Sequence, residues 1–179
     1  MTNNFKLVLA GLFLAFGVVI PFTTAHAFGI PGTVLLPMHL SIFMGALVLG
    51  SKYGALLGVL TPIVSSVLTG MPPAFPMLPI MIFELGTYGL ITGWVFQKTN
   101  KIYVSMLPAM VVGRLVYGAV FTTLTLVSAA PLRALAPLAA LTTGLPGIVL
   151  QLIFVPIVAK FILKYIENWS PEHAREHSN

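Results

Sequence analysis

"GMPPAFPMLPIMIFELGTYG", residues 70–89, sets a single carboxylate, Glu84, within an apolar run otherwise suited to lipid. An ionised carboxylate in hydrocarbon costs about 3 kcal/mol or more, so a chain keeps one there when a partner, a cavity or a proton compensates. The stretch therefore poses both the fold class and the functional question.

Outward from it, the composition is 58% hydrophobic and 7% charged, where soluble domains carry roughly 25% charged residues. This is the composition of an integral membrane protein. With spans of about 20 residues each, 179 residues accommodate five or six helices and short loops but no sizeable soluble domain. The absence of cysteine excludes disulfides, thiol nucleophiles and thiolate metal sites. The net charge of +5 comes from basic residues scattered singly at span ends. That is a topology signal rather than a nucleic-acid patch.

Breaks at Gly, Pro and Lys give six predicted spans, at 6–25, 36–51, 53–69, 77–97, 102–128 and 146–164. They form one transmembrane domain over 1–179, with a polar cytoplasmic tail at 166–179. Helices follow from the lengths, since a spanning barrel strand needs only about 10 residues and alternates in polarity. Lys6, Lys52, Lys98, Lys101, Lys160, Lys164 and Arg175 fall on one side of this arrangement and only Arg133 on the other. The positive-inside rule then makes both termini cytoplasmic.

The outer loops become 26–35, 70–76 and 129–145, rich in Gly, Pro and Ala and nearly uncharged, and they read as lids. Residues 131–143 read as a short helix across the outer mouth, with Gly144 and Pro146 restarting the last span. Pro21, Pro62, Pro79, Pro108 and Pro156 fall inside spans, where kinks and cavities are expected. Lys6, the apolar run to Phe22 and "AHA" at 25–27 imitate a cleavable secretory signal. Gly11 and Ala15, at a spacing that suits helix packing, favour a retained helix instead.

Glu84 lies about 13 residues from the cytoplasmic end of its span and Arg114 about 12, which puts both near 20 Å deep. Opposite charges at matched depth on consecutive helices form either a structural ion pair or the polar wall of a solute cavity; a proton relay is the third reading. The arginine fork suits a carboxylate or phosphate. Tyr88 and Tyr117 share helix faces with the two charges. Gln151 either completes a polar pocket or bonds another helix's backbone. His39, at the outer start of span two, is either a ligand group beneath the first lid or a satisfied interfacial histidine. No second histidine or acid stands at metal-ligand spacing, so neither a zinc site nor a cofactor is expected. Gly54 with Gly58, and Gly89 with Gly93, read as close helix contacts. The chain lacks G-x-x-x-x-G-K-[ST], G-x-S-x-G and H-E-x-x-H, which argues against an enzyme and assigns any ATP-driven work to a partner.

"PMHLSIFMGALVLGSKYGALLGVLTPIVSSVLTGMPPAFP" (37–76), "FELGTYGLITG" (83–93), "GRLVYG" (113–118) and "LPGIVLQLIFVP" (145–156) together resemble the substrate-binding S components of energy-coupling factor (ECF) vitamin transporters. The resemblance covers roughly residues 5–165. It implies a multi-pass protein of the cell membrane that captures a vitamin under its outer loops. It further implies docking onto a transmembrane coupling protein with two cytoplasmic ATPases, and toppling in the bilayer to present the solute inwards. The family's Ala-x-x-x-Ala docking motif has its nearest counterpart in Ala10, Gly11 and Ala15. The family's solute site maps to Glu84, Tyr88, Arg114, Tyr117 and Gln151, with His39 and Phe75 at the lid or rim. Among vitamins the deep arginine leans towards pantothenate, while pyridoxine-like, hydroxymethylpyrimidine-like or cobalamin-precursor solutes would use Glu84 as acceptor. A proton-coupled secondary transporter and a structural membrane subunit without ligand are the competing classes.

Overall fold

The computed structural model describes residues 2–29, 32–127 and 142–168. Every element among them is helical: α1 (Asn3–Phe28), α2 (Gly32–Leu35), α3 (Pro37–Leu49), α4 (Ser51–Thr69), α5 (Met77–Thr99), α6 (Ile102–Val127) and α7 (Leu145–Asn168). Five of these, α1 and α4 to α7, are long and apolar enough to cross a membrane.

The boundaries follow local chemistry. Thr2 caps α1 by accepting from the Phe5 amide at 3.4 Å, and Gly29 ends the helix at φ +64°, its N–H bonded to the Thr24 carbonyl. Glycine takes that left-handed conformation without strain. Gly70 closes α4 in the same way at φ +72°, and Asn100 closes α5 at φ +51°. The expected outer loop at 26–35 is thus largely helical, formed by the end of α1 and by α2. Of the interior prolines, Pro79 falls in the first turn of α5, where no intrahelical N–H bond is lost; Pro21, Pro62, Pro108 and Pro156 do lie within helices.

The second expected span is the one that falls short of the membrane's thickness. α3 has 13 residues, about 20 Å of helix against about 30 Å of hydrocarbon. Leu36 at φ +49° delays its start and Gly50 at φ +90° ends it one residue before α4. Its surroundings explain how a short helix serves: α3 packs against α1, α4, α5 and α7, and Ile42, Phe43 and Ala46 on it are fully buried. A helix apolar all round belongs in a protein core, and here protein rather than lipid covers it.

The closest packing joins α4 to α5. A Cβ on Gly89 would run into the Gly54 carbonyl, one on Gly58 into the Leu85 carbonyl, and one on Gly93 into the Ser51 amide. The four glycines are helix contacts, as the spacing predicts, and backbone meets backbone along the seam. α6 packs along the other side of α5, and α7 closes against α3 and α2. The expected helix at 131–143 lies outside the described residues except for 142 and 143, as do Arg133 and Arg175. α7 continues to Asn168, so the expected tail begins within a helix.

Candidate functional site

Because α5 and α6 run side by side, joined by a tight turn at Asn100 and Lys101, residues at similar distances from that turn come within side-chain reach. Glu84, 16 residues before Asn100, and Arg114, 13 after Lys101, are such a pair, the long arginine side chain spanning the offset: Arg114 Nη1 lies 2.9 Å from Glu84 Oε1. The carboxylate is 2% exposed and the arginine 19%. Such a charge-assisted bond resolves the cost of a carboxylate at this depth.

Two further groups converge on the same oxygen. Tyr88, one turn along α5, donates to Glu84 Oε1 at 3.3 Å, and its ring has room because Gly113 on α6 carries no side chain to strike it. His39 on α3 brings Nε2 to 3.9 Å from Glu84 Oε1 and meets the Tyr88 ring edge-on, centroids 5.3 Å apart. His39 is 4% exposed, and neither ring nitrogen has a hydrogen-bond partner among the described residues. Among the described residues it therefore lacks the bond that the satisfied interfacial histidine of one sequence reading would have. Arg114 Nε and Nη2 are likewise buried without a hydrogen-bond partner among the described residues. Tyr117 sits 5.7 Å from the guanidinium carbon, ring centroid to Cζ, within cation–π range.

These groups edge a cavity of 490 Å³ between α1, α3, α4, α5 and α6, a size usual for small-molecule sites. Glu84, Arg114, His39 and Tyr117 line it, facing apolar walls that include Phe22, Met38, Met77 and Met81. Its rim includes residues 70–73, held down by side chains of α4. Ser65 Oγ donates to the Met71 carbonyl at 2.6 Å and Ser66 Oγ to the Pro72 carbonyl at 2.8 Å. Thr69 Oγ1 accepts from the Met71 amide at 3.2 Å.

Three expected residues fall elsewhere. Tyr88 stands behind Glu84, buried between His39 and Phe43, and does not line the cavity. Gln151 takes the backbone-bonding alternative: Nε2 donates to the Leu36 carbonyl at 3.4 Å, next to Gly147, whose missing Cβ lets α7 approach Leu35. Gln151 thus fixes the entry to α3 rather than the cavity wall. Phe75 is 52% exposed and is not part of the cavity lining. On α1, Gly11 faces open space, Ala15 is exposed, and Ala10 is half-buried against the core.

The sequence reading missed the rim contacts of Ser65 and Thr69 and the methionine walls. The polar run "SSVLTG" directly before Met71 and two prolines was the available signal for the rim, since hydroxyls at a helix end commonly tie the following backbone. The methionines carried no such signal, because thioethers fill gaps anywhere in a core.

The family model described as "ECF transporter, substrate-specific component" matches residues 5–159. No curated protein and no solved structure matches the chain.

Proposed function

The chain belongs to the substrate-specific components of ECF transporters, and from that premise we propose that it captures a small carboxylate-bearing vitamin from outside the cell, in the cavity beside Glu84 and Arg114. Membership makes it a multi-pass protein of the cell membrane that binds a small molecule for an ECF importer, with ATP hydrolysis falling to partner subunits. The finer reading gives it six membrane segments, α1 and α3 to α7, with both termini cytoplasmic. One transmembrane coupling protein and two cytoplasmic ATPases are its partners, engaged through Ala10, Gly11 and Ala15.

The observation that carries the solute reading is the state of Arg114. Its Nη1 serves Glu84, while Nε and Nη2, which form the side edge of the guanidinium fork, are buried without hydrogen-bond partners among the described residues, in a residue that lines the cavity. A purely structural pair has no reason to leave that edge unused, since an unsatisfied buried donor costs about 1–3 kcal/mol. A carboxylate fills such an edge bidentately. His39, with two more nitrogens unpartnered among the described residues, stands ready for a hydroxyl or amide. Pantothenate offers all of these groups. The apolar walls with their methionines favour a second reading, a heteroaromatic solute such as a pyridoxine-like, hydroxymethylpyrimidine-like or cobalamin-precursor ring.

Calorimetry of the purified protein, without partners or ATP, against pantothenate, pyridoxine and a benzimidazole base tests the proposal. One-to-one binding of one of them, lost in Arg114→Ala, is the expected result. If Glu84→Gln and Arg114→Ala lower thermal stability while leaving affinity for that solute unchanged, the pair is structural and the solute site lies elsewhere.

A further inference from the structure

A second cavity, of 530 Å³, opens at the opposite end of the molecule, between the α5–α6 turn and the last turns of α7. Lys101 in the turn and Lys160 and Lys164, one helical turn apart on α7, line it together. Among the described side chains none of these lysines has a carboxylate within ion-pair distance, and Glu84 is the sole acidic residue before Glu167. Ammonium groups gathered in this way repel one another, and an external anion relieves that repulsion. The rest of the groove is largely apolar, with Phe96, Tyr103 and Leu163 on its walls.

Its level relative to the bilayer is marked by the surrounding side chains. Trp94 is exposed with the Lys98 ammonium 4.0 Å above its ring, and Tyr103 and Tyr165 are exposed beside the groove. Exposed tryptophan and tyrosine flanked by lysine characterise the headgroup layer of a membrane.

We propose that this groove binds the headgroup of an anionic phospholipid, the phosphate among Lys101, Lys160 and Lys164 and the glycerol and upper acyl carbons against Phe96, Tyr103 and Leu163. Basic pockets between membrane helices bind lipid headgroups by this chemistry. A free phosphate would satisfy the lysines equally but gives the apolar walls nothing to contact. The site is independent of the solute cavity.

The test is native mass spectrometry of the full chain released from nanodiscs of equal phosphatidylglycerol and phosphatidylcholine. Retained phosphatidylglycerol should exceed phosphatidylcholine, and the excess should fall roughly tenfold in Lys101→Gln/Lys160→Gln/Lys164→Gln. It should survive in the matching Lys→Arg variant and withstand added inorganic phosphate. Each single Lys→Gln variant should lose part of the excess, which keeps the test valid should the triple variant fold poorly. Unchanged phosphatidylglycerol retention in the triple variant overturns the proposal, as does full displacement by inorganic phosphate. Loss of co-purifying transporter subunits with lipid retention intact also overturns it and makes the groove a protein contact.

Discussion

The two sides of α5 are built on opposite rules. Towards α4 the helix presents Gly89 and Gly93, and the approach is so close that no Cβ fits. Towards α6 and α3 it presents Glu84 and Tyr88, and there buried polar nitrogens stand without partners among the described residues beside a 490 Å³ cavity. A chain that can close one face to backbone contact is capable of closing the other. The open face is therefore a property of the sequence, and its groups without partners among the described residues are the ones the proposed solute would use. The same seam also gives the cavity a fixed wall, since α4 carries the rim contacts of Ser65 and Ser66.

The seam is where substitution should do most damage. Gly89→Leu must push α4 and α5 apart at backbone atoms that cannot yield as a flexible side chain would. Overpacking costs about 1–3 kcal/mol where side chains can shift, and more is expected here. The variant should fail to give a monodisperse species in detergent, whereas Gly118→Ala, which meets nothing within 4 Å, should behave as wild type. Normal behaviour of Gly89→Leu would break the contrast at its rigid end.

Next in size is the ion pair. Arg114→Ala strands a nearly fully buried carboxylate and should cost about 3–5 kcal/mol in thermal or chemical denaturation. Glu84→Gln retains an acceptor of the same shape for Tyr88 and Arg114 and should cost less than half of that. Both should weaken the proposed solute binding. Equal losses from the two substitutions would mean that the charge on Glu84 contributes little to holding Arg114.

His39 sharpens the comparison because stability and affinity should move in opposite directions. His39→Leu removes two buried nitrogens that find no partner among the described residues, so the solute-free protein should become more stable, by about 1 kcal/mol. Solute affinity should fall about tenfold, one hydrogen bond to a buried group being worth that order. A loss of stability would show that His39 is held by a contact to Glu84, 3.9 Å away, stronger than the distance indicates.

Much of this contrast was legible in the sequence. Similar depth predicted the meeting of Glu84 and Arg114, because two antiparallel helices joined by a tight turn bring residues at similar distances from it within reach of a long side chain. The glycine spacing predicted the seam. Two features were hidden. The brevity of α3 depends on tertiary burial, which lets a 13-residue helix sit amid four others where lipid would demand more length; no local pattern reports that. Gln151 offered two partners of equal chemical merit, and the choice of the Leu36 carbonyl follows from the left-handed turn at Leu36, which sequence gives no warning of in a leucine.

The smallest expected change in the folded protein comes from α1, and it separates surface from site. Gly11 has open space where a side chain would stand, and Ala15 on the same face is exposed, unlike Gly17, whose Cβ would strike Ser41 and Thr61. Gly11→Ala should leave stability within about 0.5 kcal/mol of wild type or raise it slightly, since alanine favours helix. Gly11→Trp should likewise leave stand-alone solute binding unchanged, because the residue lies away from the cavity lining. If Ala10, Gly11 and Ala15 form the docking face, however, the tryptophan should abolish co-purification with the coupling protein and ATPases, and with it vitamin uptake by cells. Uptake that persists in Gly11→Trp would place docking on another face and leave Gly11 as an ordinary lipid-facing residue; lost solute binding in the isolated protein would instead mean that α1 transmits to the cavity, through Phe22 at its wall.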